Sequence, residues 1–288
     1  MSDKKNLENI KKLREITGVG FADCKLAIAE NGGNIEKSIE YLRKKGIAKA
    51  SKKMSRVAAE GLALLSEKEG VVSLIEINSE TDFVAKNRDF ISFCKEVSEV
   101  NFQNKSNLEK LKFCKMKNGK TVDENLITLI SKIGEKITLR RSKYFDNKGY
   151  NFFYVHGSIE KNVGKVIAIV QLSKNSKKDL KEIGTKLAMH VAAQAPIAID
   201  EKGIKKEILD KELEIIKEEL KNSGKKADMV EKISNGKIKK FISDNTLLNQ
   251  LWIMDTKMKV SQVIKQYSGD EEIKILDFVR FKVGEGID

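Results

Sequence analysis

Apolar positions recur with two different periods along this chain, and the change from one to the other divides it. In the first 54 residues the period is helical. Leu7, Ile10 and Leu13 share one face, Phe21, Cys24, Ala27 and Ile28 form a second stripe, and Ile35, Ile39 and Leu42 form a third. The breaks between them have a chemical basis. Two glycines in Thr17-Gly18-Val19-Gly20 stop the first helix, Asn31-Gly32-Gly33 ends the second, and Asn34 is a good N-cap for the third. Lys44-Lys45-Gly46 is expected to close that helix, with Lys49 to Lys53 as a basic linker. The spacing therefore predicts a miniature three-helix bundle.

From Arg56 the pattern becomes strand-like. Gly61–Leu65 and Val71–Ile77 predict two strands joined by a turn over Glu67–Gly70. A helix is expected from Asn87 to Val100. Residues 101–135 read as helical and polar, with Leu126, Leu129, Ile130 and Ile133 at helical spacing, and Ile137–Arg141 as a strand. The order then recurs as strand Phe152–Ser158, turn Glu160–Gly164, strand Lys165–Leu172 and helix Asp179–Ala193. VVSLIEIN (71–78) and KVIAIVQL (165–172) align at an offset of 94, which suggests two related α+β subdomains. Residues 200–242 interrupt the second copy. Ile204, Ile208, Leu213, Ile216 and Leu220 line one helical face, Asn222-Ser223-Gly224 is a turn, and Met229, Val230, Ile233, Ile238 and Phe241 continue on a return helix. A strand over Ile275–Val283 comes last. The expected class is α+β: a three-helix domain (1–54), a core N-subdomain (55–146), a core C-subdomain (147–199 and 243–288) and an inserted antiparallel helical hairpin (200–242).

Composition agrees with a packed, soluble protein. The chain has 288 residues, 40% hydrophobic and 34% charged, and a single proline excludes Pro-rich linkers. Its formal net charge is +13, but only seven of the 55 basic residues are Arg, the lysines are spread along the chain, and aromatics make up 6%. A nucleic-acid reader favours Arg forks, clustered charge and interleaved aromatics, so direct nucleic-acid binding is not what this pattern predicts. Three scattered cysteines, Cys24, Cys94 and Cys114, predict a reducing compartment rather than a disulfide framework. The N-terminus has no apolar signal core, and Val166–Val170 is far short of the ~20 residues needed to span a bilayer. A cytoplasmic location is expected, with no membrane contact.

Most catalytic signatures fail. Gly119-Lys120-Thr121 resembles the end of a phosphate loop, but position 114 is Cys where that loop needs Gly. Gly164-Lys165 is followed by Val166. His156 and His190 are too far apart in sequence for a zinc-protease helix, and the cysteines lack zinc-site spacing. No metal site, cofactor site or catalytic residue is predicted. One segment stands apart: Glu80-Thr81-Asp82-Phe83-Val84-Ala85-Lys86-Asn87. Thr81 or Asp82 can cap a short turn. Phe83 then either folds back as a hydrophobic staple on the next helix or is held out beside an acid for a partner. Spacing alone favours the first.

Several motifs taken in order carry a resemblance. They are Leu13-Arg14-Glu15-Ile16-Thr17-Gly18-Val19-Gly20 with Asp23-Cys24-Lys25; Thr81-Asp82-Phe83-Val84-Ala85-Lys86-Asn87; Lys132-Ile133-Gly134-Glu135; Ala188-Met189-His190-Val191-Ala192-Ala193; and Arg280-Phe281-Lys282-Val283-Gly284-Glu285-Gly286. Over essentially its whole length the sequence resembles the bacterial translation elongation factor Ts family, the guanine nucleotide exchange factors of elongation factor Tu. The resemblance implies a ubiquitin-associated-like N-terminal domain, a two-subdomain α+β core and an inserted hairpin, which agrees with the layout read from periodicity. It implies binding to GDP-bound and nucleotide-free elongation factor Tu, with Asp82 and Phe83 entering near the partner's magnesium and phosphate site and Thr81 and Val84 flanking them. By the same resemblance, Arg14 and Phe21 match an N-terminal docking surface, where the family often has Met in place of Phe21. Ile133 and His156 match contacts to the GTPase domain, and Ile253 and Met254 match a later contact strip. Ignoring the family, Ile133 reads as core and His156 as a strand-end histidine with its hydrogen bonds satisfied. In some members the hairpin mediates dimerisation, so a homodimer through it is one assembly the resemblance allows. Many relatives continue past Gly-Glu-Gly-Ile with a further helix that grips the GTPase domain; this sequence stops at Asp288, so lower affinity or compensating contacts are expected. Two other classes stay open at this point: an RNA- or ribosome-binding basic protein, and an enzyme with a hidden acid–base site.

Overall fold

A computed structural model describes residues 2–17, 19–174, 179–223 and 227–287. In chain order its elements are α1 (Ser2–Thr17), α2 (Phe21–Glu30), α3 (Ile35–Lys53), β1 (Glu60–Lys68), β2 (Val71–Ser79), α4 (Asp82–Ala85), α5 (Arg88–Gln103), α6 (Leu108–Leu111), α7 (Val122–Ile133), β3 (Ile137–Phe145) and β4 (Tyr150–His156). There follow β5 (Val163–Gly164), β6 (Val166–Leu172), α8 (Lys181–Gln194), a 3₁₀ turn (Glu201–Gly203), α9 (Lys206–Asn222), α10 (Ala227–Asn245), β7 (Leu251–Trp252), β8 (Asp255–Lys259), α11 (Val260–Ser268) and β9 (Ile275–Lys282). The chain divides into two compact units. One holds residues 1–144, 157–165 and 281–288; the other holds 145–156 and 166–280.

In the first unit α1, α2 and α3 bury Ile10, Leu13, Val19, Cys24, Ala27, Ile28 and Leu42 as one cluster. Phe21 falls off its predicted stripe and is exposed, as is Leu7. The predicted stop after α1 lies partly on Gly18, outside the described residues. Asn34 caps α3 by accepting a hydrogen bond from the Lys37 N–H. Lys44-Lys45-Gly46 does not close this helix, and Lys49–Lys53 is its last turn rather than a linker. A glycine inside a helix costs about 1 kcal/mol relative to alanine. Here α3 packs on α7, and a Cβ at position 46 would stand 2.8 Å from Ser131 Oγ. The close approach of the two helices compensates for the glycine.

The four strands of this unit lie in the order β3-β2-β1-β5. β1 and β2 pair antiparallel from Glu60↔Ser79 to Lys68↔Val71. Their loop is only Glu69-Gly70, both at positive φ (54° and 77°), a two-residue turn shorter than the predicted one. On one face Leu62, Leu64, Ile75 and Ile77 join Phe90, Cys94 and Val97 of α5 in the main core. The other face is buried too, including Leu65, Leu74, Glu76 and Asn78. The predicted helical stretch 101–135 is broken. α5 ends at Gln103, Lys105 and Ser106 take positive φ (51° and 57°), and Lys115 bridges to Thr121 before α7 begins at a Thr121/Glu124 capping box. The expected turn 160–164 contains β5, which pairs through Gly164↔Ala63 and Val163↔Leu64.

The second unit has the sheet β4-β6-β9, with α8 packed on β4 and β6. Its connectivity repeats that of the first sheet: a strand pair, a helix, then a third strand on the outer side of the second. α9 and α10 pack on each other through Ile216, Leu220 and Val230. Ile208 and Met229, expected on that seam, are exposed, and the turn at Asn222–Gly224 lies partly outside the described residues. β7, β8 and α11 occupy a stretch for which periodicity predicts no element.

His190 on α8 is fully buried and stacks on Trp252 with ring centroids 5.3 Å apart. Its Nε2 lies 3.0 Å from Gln250 Oε1, and the Ile253 N–H donates to its Nδ1. That pair of contacts suits the neutral ring. Burial pushes its pKa below the ordinary 6.5, with the Gln250 hydrogen bond opposing. A depressed histidine contributes stability that is complete above the unfolded value and is lost as pH falls below it. Urea midpoints read by Trp252, the chain's one tryptophan, are expected to be lower at pH 5.5 than at pH 7.5. An equal or higher midpoint at pH 5.5 would contradict the buried neutral ring.

Candidate partner-binding surface

The segment after β2 forms a surface projection with a buried base. Thr81 is the N-cap of α4, its hydroxyl accepting from the Val84 N–H. One turn later Asn87 caps α5, accepting from the Asp89 and Phe90 N–H groups. Between these caps the side chains diverge. Val84 and Ala85 are buried in the main core, whereas Phe83 is 79% exposed. Phe83 therefore does not fold back as a staple on α5. Asp82 sits beside it, 2.7 Å from Lys86 Nζ. That hydrogen bond holds its carboxyl below the ordinary value, so it is charged at neutral pH.

The turn is tied from the side by the connection between α7 and β3. The Thr81 N–H donates to Glu135 Oε2 (3.0 Å) and its hydroxyl to Glu135 Oε1 (2.8 Å). In return the Lys136 N–H donates to Glu80 Oε1, and Arg56 pairs with Glu80. The Lys136 ammonium donates to the carbonyls of Met54 and Arg56. Ile133 is half-buried at the end of α7, where Gly134 closes the helix in the left-handed conformation.

In the same unit Arg14 and Phe21 are exposed on α1 and α2, with Ile16 also exposed. In the second unit His156 is exposed at the end of β4 and its Nδ1 lies 3.2 Å from the Tyr154 hydroxyl. Ile253 and Met254 form the turn between β7 and β8, with Ile253 half-buried and Met254 exposed, above the buried Trp252. Glu80 and Glu135 are the residues that sequence reasoning passed over. The Glu80–Lys136 and Glu135–Thr81 contacts each span more than fifty residues, and local spacing carries no signal of that kind.

Among the described residues no three His, Cys, Asp or Glu side chains gather as a metal site, and no helix is long and apolar enough to cross a membrane. The profile of the family described as "Elongation factor TS" matches residues 80–285. The chain is 42% identical over 284 residues to elongation factor Ts of Xanthobacter autotrophicus, covering 97% of this chain and 92% of that protein. It is 39% identical over 284 residues to the Rickettsia akari protein and 41% over 285 residues to that of Nitrobacter hamburgensis, with the same coverage. The chain belongs to the elongation factor Ts family. It is a nucleotide exchange factor for elongation factor Tu in translation elongation, acting by binding rather than by bond-breaking chemistry. The family match opens at Glu80, the residue that leads into the exposed turn, and takes in Ile133, His156, Ile253 and Met254. Arg14 and Phe21 precede it but fall within the longer alignments.

Proposed function

We propose that this chain releases GDP from elongation factor Tu by inserting Asp82 and Phe83 beside the partner's magnesium and phosphate site. The observation that carries this reading is Phe83: a large aromatic, 79% exposed, on a one-turn helix whose next two residues are buried. Exposing so much apolar area has no folding benefit, and an aromatic on a rigid base is the usual anchor of an interface. Phe83 wedges between elements of the GTPase domain. Asp82, ionised and adjacent, competes for the donors that order magnesium and phosphate. The partner's nucleotide affinity falls by the coupling free energy between exchange factor and nucleotide, and incoming nucleotide expels the exchange factor by the same amount. The nucleotide pool sets the direction.

Around this centre, Thr81 and Val84 hold the turn, Val84 from beneath rather than by touching the partner. Ile133 and His156 contact the GTPase domain, Arg14 and Phe21 form the N-terminal docking surface, and Ile253 and Met254 meet the rest of the partner. The layout of a three-helix domain, two core subdomains and an inserted hairpin belongs to the same reading, as does action in the cytoplasm. Exposed Ile208 and Ile215 on α9 favour a homodimer through the hairpin, which sedimentation of the isolated protein would test.

The experiment is release of fluorescent GDP from elongation factor Tu, with wild type and with Asp82→Ala/Phe83→Ala. Wild type should speed release and the double variant should not. A folded wild-type protein with no effect on release would overturn the reading and favour an RNA- or ribosome-binding role, recognisable by steep salt dependence.

A further inference from the structure

A turn that must enter a partner at a set angle needs more than its own cap. α4 has four residues and no length to stiffen itself. Its buried side chains, Val84 and Ala85, seat it on the core. A further restraint is lateral. Glu135 closes a two-point contact on Thr81, one oxygen to the backbone N–H and the other to the hydroxyl. The same hydroxyl accepts from Val84 as the helix cap, so Glu135 orients the group that starts the helix. Glu80 and the Lys136 N–H form the reverse link one residue away on each strand. Two carboxylates thus cross between the end of β2 and the start of β3, each accepting from the other's neighbour. A charge-assisted pair of this kind is stronger and more directional than a neutral one.

We infer that Glu135 is a positioning residue for exchange: it touches neither nucleotide nor partner, and it sets the angle at which Asp82 and Phe83 project. The inference rests on the proposed insertion of those two residues. Misplacement of about 1 Å is enough to cost a reaction severalfold to a hundredfold.

The experiment compares saturating GDP-release rates of the full chain with those of Glu135→Ala and Glu135→Gln. Glu135→Ala should lower the maximal rate by about tenfold. Glu135→Gln should restore most of it, because its Oε1 can accept from the Thr81 N–H while its amide donates to the Thr81 oxygen. In a Phe83→Ala background, which keeps a measurable residual rate, Glu135→Ala should add less than about twofold, since the main group it positions is gone; independent sites would instead add their losses. In wild type the Thr81 amide should exchange its hydrogen more slowly than the Phe83 amide, and this needs no variant to fold. Full activity of Glu135→Ala, failure of Gln to rescue, an additive loss in the Phe83→Ala background, or rapid exchange at Thr81 would each overturn the inference. If Phe83→Ala slows release and Glu135→Ala does not, only the positioning role fails; if neither wild type nor variants act on release, the proposed function itself fails.

Discussion

Phe83→Ala alone is expected to cut the maximal rate of GDP release from elongation factor Tu by roughly thirtyfold, the equivalent of about 2 kcal/mol lost from a buried aromatic anchor. The fold should not notice. Phe83 is 79% exposed and makes no part of the core beneath it, so circular dichroism and thermal midpoint should match wild type. Phe83→Leu should fall between, because it keeps apolar volume but loses the ring. Asp82→Asn should cost less than Phe83→Ala: the carboxylate is already paired with Lys86 and partly solvated, which weakens its reach. Stopped-flow release of fluorescent GDP at saturating exchange factor checks all three. Phe83→Ala at wild-type rate, with its fold intact, would remove the wedge from the mechanism.

Glu76→Gln is expected to cause the largest loss of stability, about 3 kcal/mol in urea unfolding at pH 7. Glu76 is fully buried at the middle of β2. Arg140 and Arg141 from β3 both donate to it, Asn78 donates from two residues along the same strand, and the Gly284 N–H reaches it from the end of the chain. Glutamine keeps the shape but turns an amide N–H toward donors, removes the carboxylate that Arg140 pairs with, and leaves Arg141 only Glu285 at 3.9 Å. The figure sits at the lower end for a buried pair because the two arginines are still 21% and 31% exposed and retain some solvent. Burial pushes the Glu76 carboxyl up, but the Gly284 N–H and the two arginines together outweigh it and leave it below its ordinary 4.5. A depressed carboxyl stabilises above its unfolded value, and that stability is lost as pH falls through the folded one. The gap between wild type and Glu76→Gln should therefore be full at pH 7 and narrow below about pH 4.5. A gap under about 1 kcal/mol at pH 7 would mean that the network is replaceable by ordinary polar contacts.

The two predictions differ in how far their residues could be read from sequence. The Asp82–Phe83 turn was visible as an anomaly, an acid and an aromatic where a connecting segment should be polar, although spacing alone favoured a staple. Its exposure depends on Val84 and Ala85 taking the core-facing positions, which periodicity cannot show in a four-residue helix. Glu76 gave no signal. It lies among apolar residues in VVSLIEIN, and nothing in its spacing marks it for a role. Both faces of β2 are covered, and the covering segment comes from more than two hundred residues away.

Spacing and local chemistry alone are enough to read the kind and order of the main elements, the cap at Asn34, and the recurrence of one strand–helix plan in two places. Those features are written within three or four residues of one another, in spacing and cap chemistry, so a local reading recovers them. Long-range packing settles that α3 runs through Gly46, that 101–135 breaks into pieces, that Glu76 is buried and bonded to both arginines, and that Glu135 holds Thr81. Three of these depend on a partner brought close by chain reversal: Ser131 for Gly46, Gly284 for Glu76, Thr81 for Glu135. A glycine, a carboxylate or a threonine has the same local appearance whatever it meets, and its role is set by the free energy of that distant contact.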